Sequence, residues 1–454
     1  MNADLFERAP VPRAYFTLAL PLVLSMTVTL VYNLVDTYFI AHTGNEAMVA
    51  GVSIATPVFT LMIALGDIFG LGGASVISRL FGEGRLDEAR RVSAFCFWAA
   101  TAFGILVMIV MLTAEAPILR LLGATPETVE YASQYYRWIV IGSPVLILAL
   151  TPSNLLRTEG FATASMIGTV GGALINIVLN PILISVVGWG AAGSAIATVS
   201  GNVFAVAYFA WFTRTRSQRL SIAPRLARIP ARLLLAVFAI GLPASVTNLM
   251  QSAGIILLHR FLLPFGTTSI AAMGIVLKIT MVAVLILVGF SFGAQPLIGY
   301  AYGARDIVRL RQILRFCYAF ECSLAVVLSL ALALPARHLM GFFISDPGVI
   351  AAGEGMLRLQ VSSMVCVTVV LITTVTFQSL GKAAAALVLS ISRQGVALLA
   401  VLAVCAPLFG YRGVIAAQPF TDLLTAALAL GLLVIVWRGD PRLREDRRAS
   451  LPLE

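Results

Sequence analysis

Charge is what this sequence has least of. Only 11% of its 454 residues are Asp, Glu, Lys or Arg, against 59% hydrophobic. Water-soluble domains carry about 25% charged residues. A soluble core of this size cannot hide so much apolar surface, whereas a bilayer can, because lipid is itself the apolar solvent. Histidine is reduced to 3 residues, His42, His259 and His338, each isolated and near the end of an apolar run, so they read as interfacial. The 5 cysteines, Cys96, Cys317, Cys322, Cys366 and Cys405, fall inside apolar runs. None has metal-ligand spacing, so they read as small packing residues and no cofactor is expected. A P-loop, a zinc motif, a nucleophile triad and a His-Glu-x-x-His helix are all missing from the sequence. An enzyme is therefore not expected, and any transport must run on an ion gradient or on the substrate itself. Met1 to Pro12 is polar and lacks an apolar h-region, so no cleavable signal peptide is expected.

What is present is long apolar runs. A spanning helix needs about 20 apolar residues, and by that measure the sequence predicts about twelve spans. Their limits are 14–42, 49–80, 93–114, 132–156, 163–188, 191–213, 233–260, 268–302, 312–337, 352–380, 384–409 and 412–437. Pro21, Pro57, Pro152, Pro243, Pro296 and Pro419 lie in or near them, where proline can kink a helix. Lys and Arg number 31 against 21 Asp and Glu. In a soluble chain that excess would suggest nucleic acid. Here the basic residues cluster in alternate connections: Arg79 to Arg91, Arg157, Arg214 to Arg232, Arg305 to Arg315 and Lys382, with more at both termini. The opposite connections hold only Arg120, Arg137, Arg260, Arg337, Arg358 and Arg412. The ratio is roughly four to one, which places both termini in the cytoplasm of a multi-pass inner-membrane protein and leaves nucleic acid out.

The sequence repeats itself at an offset of about 221 residues. Gly72 to Gly82 resembles Gly293 to Gly303, Ala19-Leu20-Pro21 resembles Gly241-Leu242-Pro243, and Gly44 lines up with Gly266. Six spans fall within one offset, so both halves share one orientation, the arrangement of a parallel repeat about the membrane normal. The expected fold is an all-α membrane protein of two pseudo-symmetric six-helix lobes. Residues 1–213 form the first lobe, 214–232 a basic linker, 233–437 the second lobe and 438–454 a cytoplasmic tail. Two lobes flanking a cavity suit alternating access.

An ionisable group inside a bilayer costs several kcal/mol unless paired or hydrated, so each is a candidate for function. Asp36 lies in the outer half of span 1. Asn176 and Asn180, four apart on one face of span 5, and Thr198 in span 6 fall at similar depth. One carboxylate, two amide carbonyls and a hydroxyl make an all-oxygen set, suited to Na⁺ or to a protonatable carboxyl. Taken alone, Asn176 and Thr198 would be ordinary interhelical hydrogen bonders. Lys278, Arg393 and Asp422 lie near mid-depth in the second lobe. Arg393 and Asp422 read equally well as a packing salt bridge or as a substrate or gating pair. Asp67 and Glu321 can line an inward cavity or be paired structurally. The glycines of spans 2 and 8 allow close packing or flexing.

These stretches look familiar in combination. Tyr32 to Ile40, Gly72 to Gly82, Leu156 to Gly160, Asn176 to Pro181, Gly190 to Thr198, Gln295 to Tyr300 and Ser390 to Gly395 resemble motifs of the multidrug and toxic compound extrusion (MATE) family, closest to its DinF-like branch. The match spans nearly the whole chain. The resemblance implies antiport of cationic or amphipathic drugs or metabolites against H⁺ or Na⁺, by a monomer in the lipid bilayer. It also implies Asp36 as the coupling carboxylate, supported by Asn176 and Thr198. DinF-like members often carry Asp where this chain has Asn180, which leaves one carboxylate in the set. An acidic residue found on span 7 of some relatives is replaced by Met250 and Gln251, which argues against a second ion site there. Tyr32, Asn33, Met250, Gln251, Lys278, Arg393 and Asp422 are the expected substrate-cavity residues. A lipid-linked-precursor flippase or metabolite exporter of the same superfamily is the alternative.

Overall fold

Lipid offers no partner to a bare N–H or C=O, so an apolar run that crosses a bilayer must pair its own backbone as a helix. The computed structural model describes residues 3–443, and among these every regular element is helical. The tail arginines Arg444, Arg447 and Arg448 lie outside the described residues. Nine helical elements are long and apolar enough to span. They include α1 (Val11–His42), α2 (Glu46–Gly82) and α3 (Leu86–Thr113). Two further spans are bent pairs. Helices α4 (Val129–Ile141) and α5 (Ser143–Thr158) meet at 51°. The others continue with α6 (Ala162–Pro181), α7 (Gly190–Thr215), α8 (Ala231–Leu262), α9 (Thr267–Gly303) and α10 (Ile307–Ala333). The second bent pair is α11 (Pro347–Ser362) with α12 (Met364–Leu380), at 42°.

The last element runs 57 residues, Ala383–Gly439. At 1.5 Å per residue that is about 86 Å, nearly three bilayer cores. It comprises α13 (Ala383–Ile391), a π turn over Ser392–Val396 and α14 (Ala397–Gly439). Inside α14, Gly410 takes φ 55° and ψ −134°, which no helix tolerates. The chain therefore breaks where the sequence separates its last two runs, and the twelve expected crossings are all accounted for. The repeat reaches down to these breaks. The bends fall at Gly142 and Ser363, one repeat offset apart, as are the short helices Glu115–Leu121 and Ala336–Phe343.

The chain groups into two compact units. One contains Leu24–Ser245; the other contains Ala9–Val23 and the chain from Val246 onward. The change of unit falls within α1, just past Pro21, and within α8, just past Pro243. In the first unit α2 and α8 cross backbone to backbone: a Cβ on Gly72 would meet the Val237 carbonyl oxygen at 2.4 Å, and one on Gly241 the Ile68 oxygen at 2.0 Å. These glycines are there for close approach. The basic segment 214–232 lies along this same unit. Glu159 accepts from the backbone N–H of Gln218 and Arg219, each at 3.2 Å, and from the Ser217 hydroxyl. Trp98 donates to the Ile222 carbonyl at 3.0 Å, and Arg232 pairs with Glu88 at 2.9 Å.

Candidate ion-coupling site

In the first unit, α1, α6 and α7 bring together the polar residues singled out above. Asn176 and Asn180 lie one turn apart on α6, with exposures of 2% and 0%. The Asn180 amide donates to the Asn176 carbonyl oxygen at 3.0 Å, and the Asn176 amide donates to the Thr198 hydroxyl of α7 at 3.0 Å. Asp36 of α1 receives a hydrogen bond from the Ser194 hydroxyl of α7 at 2.6 Å, and Asn180 stands beside the same carboxylate. Tyr32 and Tyr135 are within electrostatic reach of it. The aspartate forms no ion pair with a Lys or Arg among the described residues. Ser194 is buried at 0% and was not singled out in the sequence. Its signal was available: it precedes Thr198 by four residues, hence shares its helix face.

One atom of the cluster is uncommitted. Asn180 Oδ1 is buried and has no hydrogen-bond partner among the described residues. A buried acceptor without a donor is costly in a settled fold, by about 1–3 kcal/mol. A carboxylate oxygen, this carbonyl and a hydroxyl together offer an oxygen set for a small hard cation or a proton.

The second unit holds a different arrangement. Asp422 of α14, 2% exposed, accepts from Arg393 Nε at 2.9 Å, from Ser363 Oγ at 2.8 Å and from Gln418 Nε2 at 3.3 Å. Arg393 sits in the π turn and Ser363 at the bend between α11 and α12. This carboxylate links the π turn, the bend and α14, with two donors on Oδ1 and one on Oδ2. The pair the sequence left open is a hydrogen-bonded ion pair in the structure. Lys278 and Gln251 are exposed, Met250 lies against Gly395 and Asn33 is exposed. Asp67 interacts with Arg157, which belongs to the last turn of α5 and is buried, rather than to a solvated loop.

A family model described as MatE matches residues 21–182 and 243–404, the two halves of the repeat. The multidrug export protein MepA of Staphylococcus aureus (strain MRSA252) is 29% identical over 433 residues, covering 95% of this chain and 95% of that protein. MepA of Staphylococcus saprophyticus is 26% identical over 446 residues, 98% of each. A MOP superfamily transporter from Pyrococcus furiosus superposes with a TM-score of 0.90 at 24% identity, over 96% of this chain and 98% of that one. The Vibrio cholerae MATE transporter VcmN does so with 0.90 at 20% identity, over 96% and 99%. The two structural likenesses bear on the fold alone.

Proposed function

The chain belongs to the MatE family, and from that premise we propose that it is a secondary antiporter exporting amphipathic or cationic organic compounds against H⁺ or Na⁺ by alternating access. The observation that carries this reading is the Asp36 carboxylate, held by the Ser194 hydroxyl and the Asn180 side chain, together with the buried, uncommitted carbonyl oxygen of Asn180. Relatives named as multidrug export proteins support the substrate class. Asp36 supplies the charge. Asn180 Oδ1 and Thr198 Oγ1 supply the neutral oxygens a hard cation needs, and Asn176 orients both by bonding to each residue. A proton is served equally well, because the Ser194 hydroxyl can accept as well as donate.

Neutralising Asp36 removes the need to keep water or a donor beside a charge in an apolar wall. Ion-loaded and ion-free forms then favour different packings of α1, and a ligand shifts such an equilibrium only by its differential affinity. The coupling is reciprocal, so drug binding weakens ion binding by the same factor. The protein works in this reading as a monomer in the inner membrane with both termini cytoplasmic.

The test is ethidium efflux from proteoliposomes, wild type against Asp36→Asn, under an imposed proton gradient and separately a sodium gradient. Wild-type efflux under one gradient, lost in the mutant, is expected, and the gradient that drives it identifies the ion. Undiminished gradient-driven efflux by Asp36→Asn removes that residue from coupling. No dye movement under either gradient sinks the drug-export reading and favours a lipid-precursor flippase.

A further inference from the structure

The second unit holds a carboxylate that the Asp36 scheme does not use. Glu321 of α10 is 0% exposed. Its Oε1 accepts from the Tyr15 hydroxyl of α1 at 2.8 Å and its Oε2 from Ser291 Oγ of α9 at 2.5 Å. Phe16, Phe290, Phe316 and Phe320 pack around Tyr15, with ring centroids 5.3–6.0 Å from it. Glu321 forms no ion pair among the described residues.

The ionisable groups around it are few. Tyr15 faces it from α1; Cys317, Tyr318 and Cys322 belong to its own helix. Cys366 of α12 lies beyond Cys322. Glu354 and Arg358 of α11 pair with each other at 2.8 Å. Arg13, Lys278 and Arg315 are exposed. Arg337 and His338 lie past the end of α10, about 18 Å along its axis from Glu321. A buried carboxylate without a cation costs several kcal/mol if it stays ionised.

The repeat supplies an internal control. An offset of about 221 residues brings Ala236 or Val237, Phe69 or Gly70, and Ala99 or Ala100 into the places of Tyr15, Ser291 and Glu321. The first unit makes the corresponding helix crossing with apolar residues and bare backbone, Gly241 against Ile68. The architecture is thus built once without a carboxylate, so packing alone does not call for Glu321.

We propose that Glu321 is a second proton-binding site of this protein, separate from Asp36, with Tyr15 and Ser291 as its partners in both charge states. Each hydroxyl can donate and accept. When Glu321 is ionised both hydroxyls donate to it, as in the structure. When a proton from water adds to one carboxyl oxygen, Glu321 donates to one hydroxyl, and that hydroxyl turns its own hydrogen to a nearby carbonyl; Ser291 has one available on its own helix, a turn back. No bond rearranges beyond these hydrogens. Two hydroxyls and one carboxylate walled by aromatic rings offer too few oxygens for a sodium ion, which selects the proton. The purpose of the site rests on the antiport reading, whereas its existence does not.

Infrared titration of the purified full-length protein between about pH 5 and about pH 8 tests it. A protonated-carboxyl band that grows as the pH falls is expected in wild type and in Asp36→Asn, and its loss is expected in Glu321→Gln. The glutamine amide keeps an acceptor for one hydroxyl and a donor for the other, so folding should survive. Tyr15→Phe should displace the midpoint of the same band by about one pH unit, the equivalent of one hydrogen bond to a charged group. The proposal is overturned if Glu321→Gln leaves every titrating band in place. It is equally overturned if the Glu321 band is constant across the range or missing throughout. Ethidium efflux measured on the same preparations separates the two readings: failure of export with the Glu321 titration intact sinks drug export and leaves this proton site standing.

Discussion

Two aspartates of this chain differ in what surrounds them. Asp422 faces a guanidinium, a hydroxyl and an amide; Asp36 faces the Ser194 hydroxyl and the Asn180 side chain, with no cation paired to it among the described residues. Cutting one partner from a buried ion pair costs about 3–5 kcal/mol. Asp422→Ala is therefore expected to lower thermal stability in detergent strongly, while Asp36→Asn leaves the melting temperature near that of wild type; equal losses would contradict this division. Hydrogen bonds to charged groups are worth about 1.5–3 kcal/mol. Ser194→Ala should thus shift the ion concentration for half-maximal efflux by about tenfold or more, and an unshifted curve would mean that Ser194 does not hold the carboxylate. Asp36, Asn176, Asn180 and Thr198 could be grouped from sequence because charge and amides stand out in apolar runs and their depths can be counted. Ser194 was passed over although it lies four residues before Thr198 on the same helix face, since a serine in a stretch of glycine and alanine looks like a packing residue until its partner across the helix boundary is seen. The same limit hid Ser363 and left the Arg393–Asp422 pair undecided: spacing gives depth along a helix but not direction around it.

At the scale of elements, run length located every crossing, and the breaks at Gly142, Ser363 and Gly410 were invisible because an apolar run stays apolar through a bend. The glycines of α2 and α9 could be read either as joints or as contacts; a Cβ on Gly72 would meet the Val237 carbonyl oxygen at 2.4 Å and one on Gly293 the Ala19 backbone at 2.5 Å, which makes these two contacts, and Gly241 of α8 comes as close to Ile68. Gly241→Val should cost about 1–3 kcal/mol or more through backbone displacement, seen as loss of folded protein by size-exclusion chromatography. A variant as stable as wild type would show that the crossing is loose. The end of α14 is fastened differently. Asp440 receives the Lys382 ammonium at 2.8 Å, the Tyr302 hydroxyl at 2.7 Å and the Arg442 N–H at 2.9 Å. Burial pushes its carboxyl upward, but these three partners outweigh burial and hold it below the usual carboxylate range. A group whose folded value is lowered contributes stability above its unfolded value and loses it as the pH falls through the folded one. The melting-temperature gap between wild type and Lys382→Met should therefore be full at neutral pH and close in acid. A gap that widens in acid would reverse the assignment.

At the scale of the whole molecule, the repeat was legible because motifs recur at one offset, and the structure carries the same offset into its bends and short helices. Which segment keeps company with which unit was not legible, because hydropathy says that a helix sits in lipid and nothing about its neighbours. The basic segment 214–232, expected to run between lobes, is fastened along the first unit through Glu159, Trp98 and Glu88. Glu159→Gln weakens that fastening, so protease cutting within the segment should become faster in the variant, and unchanged cutting would assign the hold to other contacts. Each unit also contains the opening stretch of a helix whose remainder belongs to the other: Ala9–Val23 goes with the second unit, while α8 up to Ser245 goes with the first. A message truncated after the first half would thus encode a lobe lacking a piece written downstream, and the second half alone would lack a piece written upstream. The leading ends of the two halves are exchanged, so neither half of the gene spells out the whole of its own lobe.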